Sequence, residues 1–321
     1  MIDDAILKNS ILSIINPLLK RRDYAHIPHS IVEDIDPDNP VNYYIDLRPK
    51  VEYDGIFDRS GVFLQYINRR YGWRYYPITI FNYGIAAYQK YIETGEESYL
   101  NKAVIQAKWA CRSQIGSGES MGGWNYDFYL KTYDLKEGWI SCMSQGLGIS
   151  LLLRMWLITK EQQLLDAAVK AFIPFTRDVG SGGVRTKYGE IYQFYEEYPS
   201  SPPSYVLNGF ITALLGLRDL WIFAQHSEAL RCWNQGVETL EAIVQEYDLG
   251  FWSKYDLKSD WSNPASFFYH DYHILQLKLL HLLTGVEKFK DYAERFCGYS
   301  RDQICRMRAL VKKIGWRLRR L

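Results

Sequence analysis

The chain has 321 residues, with 38 basic and 37 acidic side chains for a formal charge of +1, and 47% of it is apolar. That balance excludes wholesale disorder and a strongly basic nucleic-acid surface, so no nucleic acid is expected as a partner. The departure is aromatic content: 26 Tyr, 10 Trp and 14 Phe supply more hydroxyls than a core readily satisfies, so some should line a concave surface.

The amino terminus, Met-Ile-Asp-Asp, lacks the basic start and small-residue cleavage site of a signal peptide. Five cysteines at irregular spacing, with no C-x-x-C pair, read as reduced thiols in a cytoplasmic protein. No uncharged stretch has the length and hydropathy of a bilayer span. Residues 3–22 carry Ile6, Leu7, Ile11, Ile14, Ile15 and Leu18 at helical spacing, which predicts an amphipathic helix within a lead-in over 1–41. Short β-like runs come next at Tyr43–Asp46 and Val62–Tyr66, inside a β segment over 42–76. Tyr75-Tyr76-Pro77 then opens the first long helix.

A repeat organises the chain from there on. Helix-to-helix junctions fall at Thr94-Gly95-Glu96-Glu97, Thr159-Lys160-Glu161-Gln162, Ala224-Gln225-His226-Ser227 and Thr284-Gly285-Val286-Glu287, spaced 65, 65 and 60 residues apart. Each unit is thus a helical hairpin plus a long excursion. The excursions, roughly Gly116–Gly138, Asp178–Pro203 and Tyr247–Phe267, are rich in Gly, Pro, Tyr and Trp. About four hairpins in a ring, with these β-hairpin and loop excursions on one rim, predict a mainly α fold: an incomplete α/α toroid over 42–300, with the cleft at its mouth. An open helical array is the alternative.

Residues 301–321 form a separate closing helix in this reading. Arg306 to Leu321 holds seven basic residues and no acidic one, leaving −6 for the rest of the chain. Ile304, Met307, Val311, Ile314, Leu318 and Leu321 share one face. Such a helix either packs on the toroid with a solvated charged face, or makes peripheral contact with anionic lipid at the inner membrane surface or with an anionic polymer. A homodimer is left open.

No nucleotide loop, G-x-S-x-G elbow or dinucleotide fingerprint is present, so neither metal nor cofactor is expected; His270 and His273 lack the Cys or Glu company of a zinc site. Carboxylates and tyrosines crowd instead at Tyr195-Glu196-Glu197-Tyr198-Pro199 and near Asn208-Gly209-Phe210. A second group is Tyr247–Lys258, which reads as a short hairpin, and a third is Phe267-Phe268-Tyr269-His270-Asp271-Tyr272-His273. Either each is an aromatic loop packed on the helices or together they share a pocket.

These residues carry a resemblance. Glu196-Glu197-Tyr198-Pro199 with Ser204 and Val206-Leu207-Asn208-Gly209-Phe210 resembles the E-E-Y-P-x-x-P-x-S-F-V-L-N-G-F signature of the D-glucuronyl C5-epimerases. Tyr255-Asp256-Leu257 is similar to that family's I-Y-D-L-R, with Lys258 where the family has Arg. His270-x-x-His273-Ile274-x-Gln276-Leu277 is similar to its Y-H-x-x-H-I-x-Q-L. Trp139-Ile140-Ser141-x-Met143-x-Gln145-Gly146 and Tyr76-Pro77-Ile78 with Tyr83-Gly84 also match, in order over roughly 72–285. The resemblance implies an α/α toroid and cofactor-independent epimerisation at C5 of glucuronic acid in an anionic uronate polysaccharide or glycan, giving iduronic acid. It implies Glu197, Tyr198, Tyr255 and Tyr269 as catalytic residues, with Tyr76 and Asn208 as substrate contacts; Asn82, Trp124, Lys258, His270 and His273 are further candidates for substrate contact. A shifted alignment would put Tyr272 in place of Tyr269. A uronate lyase sharing the first step, and a glycan-binding module without chemistry, are the competing expectations.

Overall fold

The computed structural model describes residues 24, 27, 29–33, 35–52, 54–258 and 262–319. The helix expected over 3–22 lies outside them, as do the last two residues of the basic tail. The described chain is mainly helical and falls into two compact units: residues 30–240, and residues 241–321 together with those up to His29.

The larger unit begins with small β pieces. β1 (Ser30–Ile31) pairs antiparallel with β2 (Ile45–Asp46), and β4 (Phe63–Tyr66) lies between β3 (Ile56–Phe57) and β5 (Trp73–Arg74). Three helical pairs come after them. They are α1 (Pro77–Thr94) with α2 (Glu97–Ser113), α3 (Cys142–Thr159) with α4 (Gln162–Lys170), and α5 (Leu207–Ala224) with α6 (Ser227–Ile243). α1 flanks α3 and α3 flanks α5, forming an inner layer, while α2 and α4 pack outside it. This is the α/α layering expected of a toroid wall.

Burial explains the layering. Every residue from Cys142 to Met155 in α3 and from Leu207 to Leu220 in α5 is buried, whereas α2 buries only Ala103, Gln106, Ala107, Trp109 and Ala110. A helix apolar on all sides belongs inside, and one with a single stripe belongs outside. α3 and α5 are long and apolar enough to cross a membrane, yet 72% and 78% of those stretches is buried within the protein. Their charges are internal as well: Arg154 bridges Asp219 at 2.6 Å with both side chains fully buried, and the Tyr44 hydroxyl donates to Asp219 at 2.7 Å. The two backbones touch at Gly146 and Gly216, where a Cβ on Gly216 would lie 2.3 Å from the Gly146 Cα.

The junctions repeat at atomic level. α1, α3 and the later α7 (Phe267–Thr284) each end in Thr followed by a left-handed residue, Gly95, Lys160 or Gly285. In each, the amide two residues on donates to the threonine hydroxyl (Glu96, Glu161 and Val286; 3.2, 3.3 and 3.2 Å). Left-handed termination satisfies the last helical carbonyls and turns the chain back on itself.

The smaller unit holds α7, α8 (Glu287–Arg301) and α9 (Gln303–Leu318), with β8 (Lys254–Asp256) paired to β9 (Asn263–Pro264). The hairpin expected within 247–258 is thus only partly local: Asp248 bridges Ser253, and the strand carrying Tyr255 pairs further along the chain. Phe251, Trp252, Ala265 and Ala309 form one buried apolar cluster there, with Tyr255, Phe267 and Tyr269 packed against it.

Candidate active site

Two neighbourhoods hold the residues singled out by sequence, one in each unit. In the larger unit, β6 (Arg185–Tyr188) and β7 (Tyr192–Tyr195) form an antiparallel hairpin whose second strand runs into Glu196. The Cys142 amide donates to the Glu196 carbonyl at 3.0 Å, tying this loop to the first residue of α3. The two adjacent glutamates meet different partners. Glu196, fully buried, accepts from the Ser204 amide (3.1 Å), the Ser204 hydroxyl (2.5 Å) and the Tyr205 amide (3.1 Å). Its carboxylate organises the proline-rich loop.

Glu197, 3% exposed, lies against the first turn of α5. Asn208 Nδ2 donates to its Oε2 at 3.3 Å, and a Cβ on Gly209 would fall 2.3 Å from that oxygen. Asn208 and Gly209 are therefore matched parts: the amide holds the carboxylate and the missing side chain makes room for it. The positive end of α5 favours a negative charge here.

Aromatic rings surround this carboxylate's neighbourhood. Tyr76, the residue preceding α1, meets Tyr126 edge-on with centroids 5.0 Å apart and lies over Phe128 at 5.8 Å. Tyr126 stacks on Trp139 at 3.9 Å; Tyr198 stacks on Tyr133 at 4.2 Å and tilts against Trp139. Burial first, and the Glu197 charge second, push the Tyr76 phenol well above its ordinary value. Burial, then Tyr76, also raises Tyr126, with Glu197 adding to the effect. Both hydroxyls stay protonated across the working range, as hydrogen-bond donors.

In the smaller unit, Tyr255 on β8 and Tyr269 in the first turn of α7 meet edge to face at 4.9 Å, both half-buried. Ser266 caps α7 by accepting from the Tyr269 amide at 3.3 Å. Tyr272 is buried on a different contact, stacked with Phe268 and edge-on to His29. Lys258 comes shortly after β8, half-buried. Asp256 accepts from Asn263 at 2.7 Å, fixing the hairpin that carries Tyr255.

Three of the expected substrate contacts, Trp124, His270 and His273, are fully buried. Trp124 is fully buried, its Nε1 donating to the Ala110 carbonyl at 2.9 Å, with its ring edge against Gly148 and Phe81. His270 is fully buried and stacked on Trp252 at 3.6 Å. The Ser253 amide donates to its Nδ1 (3.1 Å), which leaves the proton on Nε2 to donate to the Phe296 carbonyl (3.0 Å). Burial lowers its pKa to about 3 and holds it neutral. His273, equally buried, shares the Ser253 hydroxyl at 2.9 Å and is likewise held neutral by burial and by His270. Among the described residues no group of three or more His, Cys, Asp or Glu could hold a metal ion.

Glu197, Tyr198, Tyr76 and Asn208 are brought into one neighbourhood, and Tyr255 with Tyr269 into another. Asn82 lies half-buried on α1. Tyr126, Phe128 and Tyr133, not singled out by sequence, join the first neighbourhood from the Gly116–Gly138 excursion. Their only sequence signal was aromatic richness on a glycine-rich loop.

Known proteins bear on this arrangement. The family model for the D-glucuronyl C5-epimerase C-terminus matches residues 117–298. A D-glucuronyl C5-epimerase of Caenorhabditis elegans is 32% identical over 225 residues, 64% of this chain and 36% of that protein. An uncharacterised protein of Methanocaldococcus jannaschii is 31% identical over 176 residues, 54% of this chain and 56% of the other. The chain thus spans from about a third to somewhat over half of these relatives. A solved structure described as UGL with dGlcA-Glc-Rha-Glc overlays with a TM-score of 0.49 at 14% identity, covering 71% of this chain and 62% of that one. The matched family segment takes in Glu197, Tyr198, Asn208, Tyr255 and Tyr269, and the chain belongs to the D-glucuronyl C5-epimerase C-terminal family.

Proposed function

We propose that this protein epimerises D-glucuronic acid units at C5 to L-iduronic acid within a uronate-containing polysaccharide or glycan, without a cofactor. The observation that carries the reading is Glu197: a buried carboxylate seated on the first turn of α5 by Asn208 and Gly209, within the segment matched by the family.

The C5 hydrogen lies α to the sugar carboxylate, so removing it leaves a dianionic enediolate that needs hydrogen-bond donors at once. Inversion requires an acceptor on one face of the ring and a donor on the other. Glu197 takes the C5 proton and becomes neutral, while the C–H electron pair passes into the enediolate. A phenol, the role that the family resemblance gives Tyr269, releases its hydroxyl proton to the opposite face of C5, restoring the carboxylate and leaving a phenolate. Exchange with water returns both groups to their starting states. The Tyr76 hydroxyl, kept protonated by burial and by Glu197, is a donor for developing charge, as are Tyr198 and Tyr255. Lys258 supplies positive charge to the substrate carboxylate, as a point charge without the two-pronged grip of Arg.

The test separates three chemistries on one polymer. Wild-type protein should convert heparosan glucuronate to iduronate with no unsaturated ends. An ultraviolet-absorbing unsaturated uronate would mean a lyase, which expels the C4 substituent from the same intermediate. Retention of heparosan with neither product, unaffected by Tyr269→Phe, would mean a binding module.

A further inference from the structure

The last helix, α9, is fastened to its unit by its polar side and leaves its apolar side uncovered. Asp302 caps its start, accepting from the Ile304 and Cys305 amides at 2.7 and 3.0 Å. Ala309 is buried in the core, Lys313 Nζ donates to Asn263 Oδ1 (2.7 Å) and to the Pro264 carbonyl (2.8 Å), and the Arg308 guanidinium lies over Phe251 at 4.2 Å. Ile304, Met307, Val311 and Leu318 are 71, 61, 64 and 42% exposed. With about 3.6 residues per turn, these four fall within an arc of roughly 60°. Arg308, Arg319 and Lys312, also exposed, occupy the next roughly 40° on one edge. Among the described residues, α9 contains no acidic side chain.

We propose that this stripe lies on an anionic lipid bilayer surface, with the four apolar side chains in the acyl boundary and the flanking cations at the headgroups. Two features select lipid over other occupants. A polysaccharide would use the cations but give Ile304, Met307, Val311 and Leu318 nothing to bury against, whereas a bilayer interface takes both parts of such a helix. A second copy of α9 would match the three-and-four spacing of a coiled-coil seam. It would also bring two cation-rich, acid-free helices together over fewer heptads than such seams need. Lysine and arginine near an anionic membrane are each worth enough to make a four-residue stripe bind measurably. The Lys313 contacts fix α9 to β9, the partner of the strand that carries Tyr255. Lipid binding would therefore hold the smaller unit, which carries Tyr255 and Tyr269, at the membrane.

The test is co-sedimentation of the full chain with phosphatidylcholine vesicles, with or without about 30% phosphatidylglycerol. Binding should be confined to the anionic vesicles and weaken as salt is raised. Met307→Ser with Val311→Ser, and separately Lys312→Gln with Arg319→Gln, should each weaken it by about tenfold or more. All four positions are exposed, so circular dichroism and polymer turnover should stay at wild-type values. No binding to anionic vesicles, or binding that survives both double variants, would overturn the proposal. So would light scattering showing a dimer that the serine pair splits, with no vesicle binding. Loss of heparosan affinity in the glutamine pair alone, again without vesicle binding, would reassign the cations to glycan. Vesicle binding is read without turnover, so this proposal and the proposed epimerisation can fail independently.

Discussion

Glu196 and Glu197 are neighbours on one loop and meet different surroundings. Glu196 enters a pocket of loop donors, where two amides and a hydroxyl surround it. Glu197 enters a region of aromatic rings and rests on a helix end cut away by Gly209. Both are buried, so burial alone does not separate a structural carboxylate from a reactive one. The difference lies in what each group is offered: loop donors for Glu196, and for Glu197, the group proposed to react, one side-chain amide with the phenols of Tyr76 and Tyr126 near enough to feel its charge. The smaller unit repeats the contrast. His270 is buried against fixed partners, while Tyr269, next to it in sequence, and Tyr255 are half-buried.

The contrast breaks most visibly by exchanging the two carboxylates for amides. Glu197→Gln should lower C5 turnover by about a thousandfold or more while leaving the fold intact, because it removes the proton acceptor. Glu196→Gln should instead lower stability by about 1–3 kcal/mol, since it sets an amide NH2 against loop donors. Thermal denaturation beside turnover assays would reverse the account if the two variants exchanged phenotypes. Tyr269→Phe should cost about a hundredfold to ten-thousandfold in turnover, whereas Tyr272→Phe, in a packed aromatic contact, should change turnover only a few-fold. The opposite order would move the catalytic role to Tyr272. Gly209→Ala sharpens the picture of a cut-away helix end. The added methyl must displace the Glu197 carboxylate, so turnover should fall well beyond any change in melting temperature.

The smallest effect concerns pH. His270 and His273 have folded-state pKa values below the ordinary 6.5, so the unfolded chain binds more protons between the two values. The His270 contribution to stability is complete above about pH 6.5 and declines as pH falls toward about 3, by up to about 1.4 kcal/mol per pH unit, and that of His273 declines in the same direction. Urea melts across that window should show the decline. Stability that holds level would mean the pair is not buried and neutral.

Much of the fold and part of the site were legible in the residues. All four junctions lie where the sequence marks them, because Thr-Gly-type ends and apolar spacing are local signals that survive without knowledge of the fold. The β pieces near Tyr43 and Phe63 and the start of α1 at Pro77 are local in the same sense. Glu197 and Asn208 were legible together because only eleven residues and a proline-forced loop separate them. Trp124 was not: a tryptophan after two glycines looks like a ring on a rim, and only the packing of α1, α2 and α3 turns it inward. The way His270 and His273 are held was not legible either, because their partner, Ser253, sits on another loop. Tyr126, Phe128 and Tyr133 reach the carboxylate's neighbourhood through pairings such as Tyr126 with Trp139, which no local pattern announces.

The central claim, proton abstraction at C5 of a glucuronate unit, is tested most directly by incubating the purified protein with heparosan in deuterated water and following the polymer by NMR. The account predicts deuterium at C5 of intact chains together with iduronate signals, both absent with Glu197→Gln. Glucuronate that keeps its C5 hydrogen, across several glucuronate polymers and with folded protein, would contradict it.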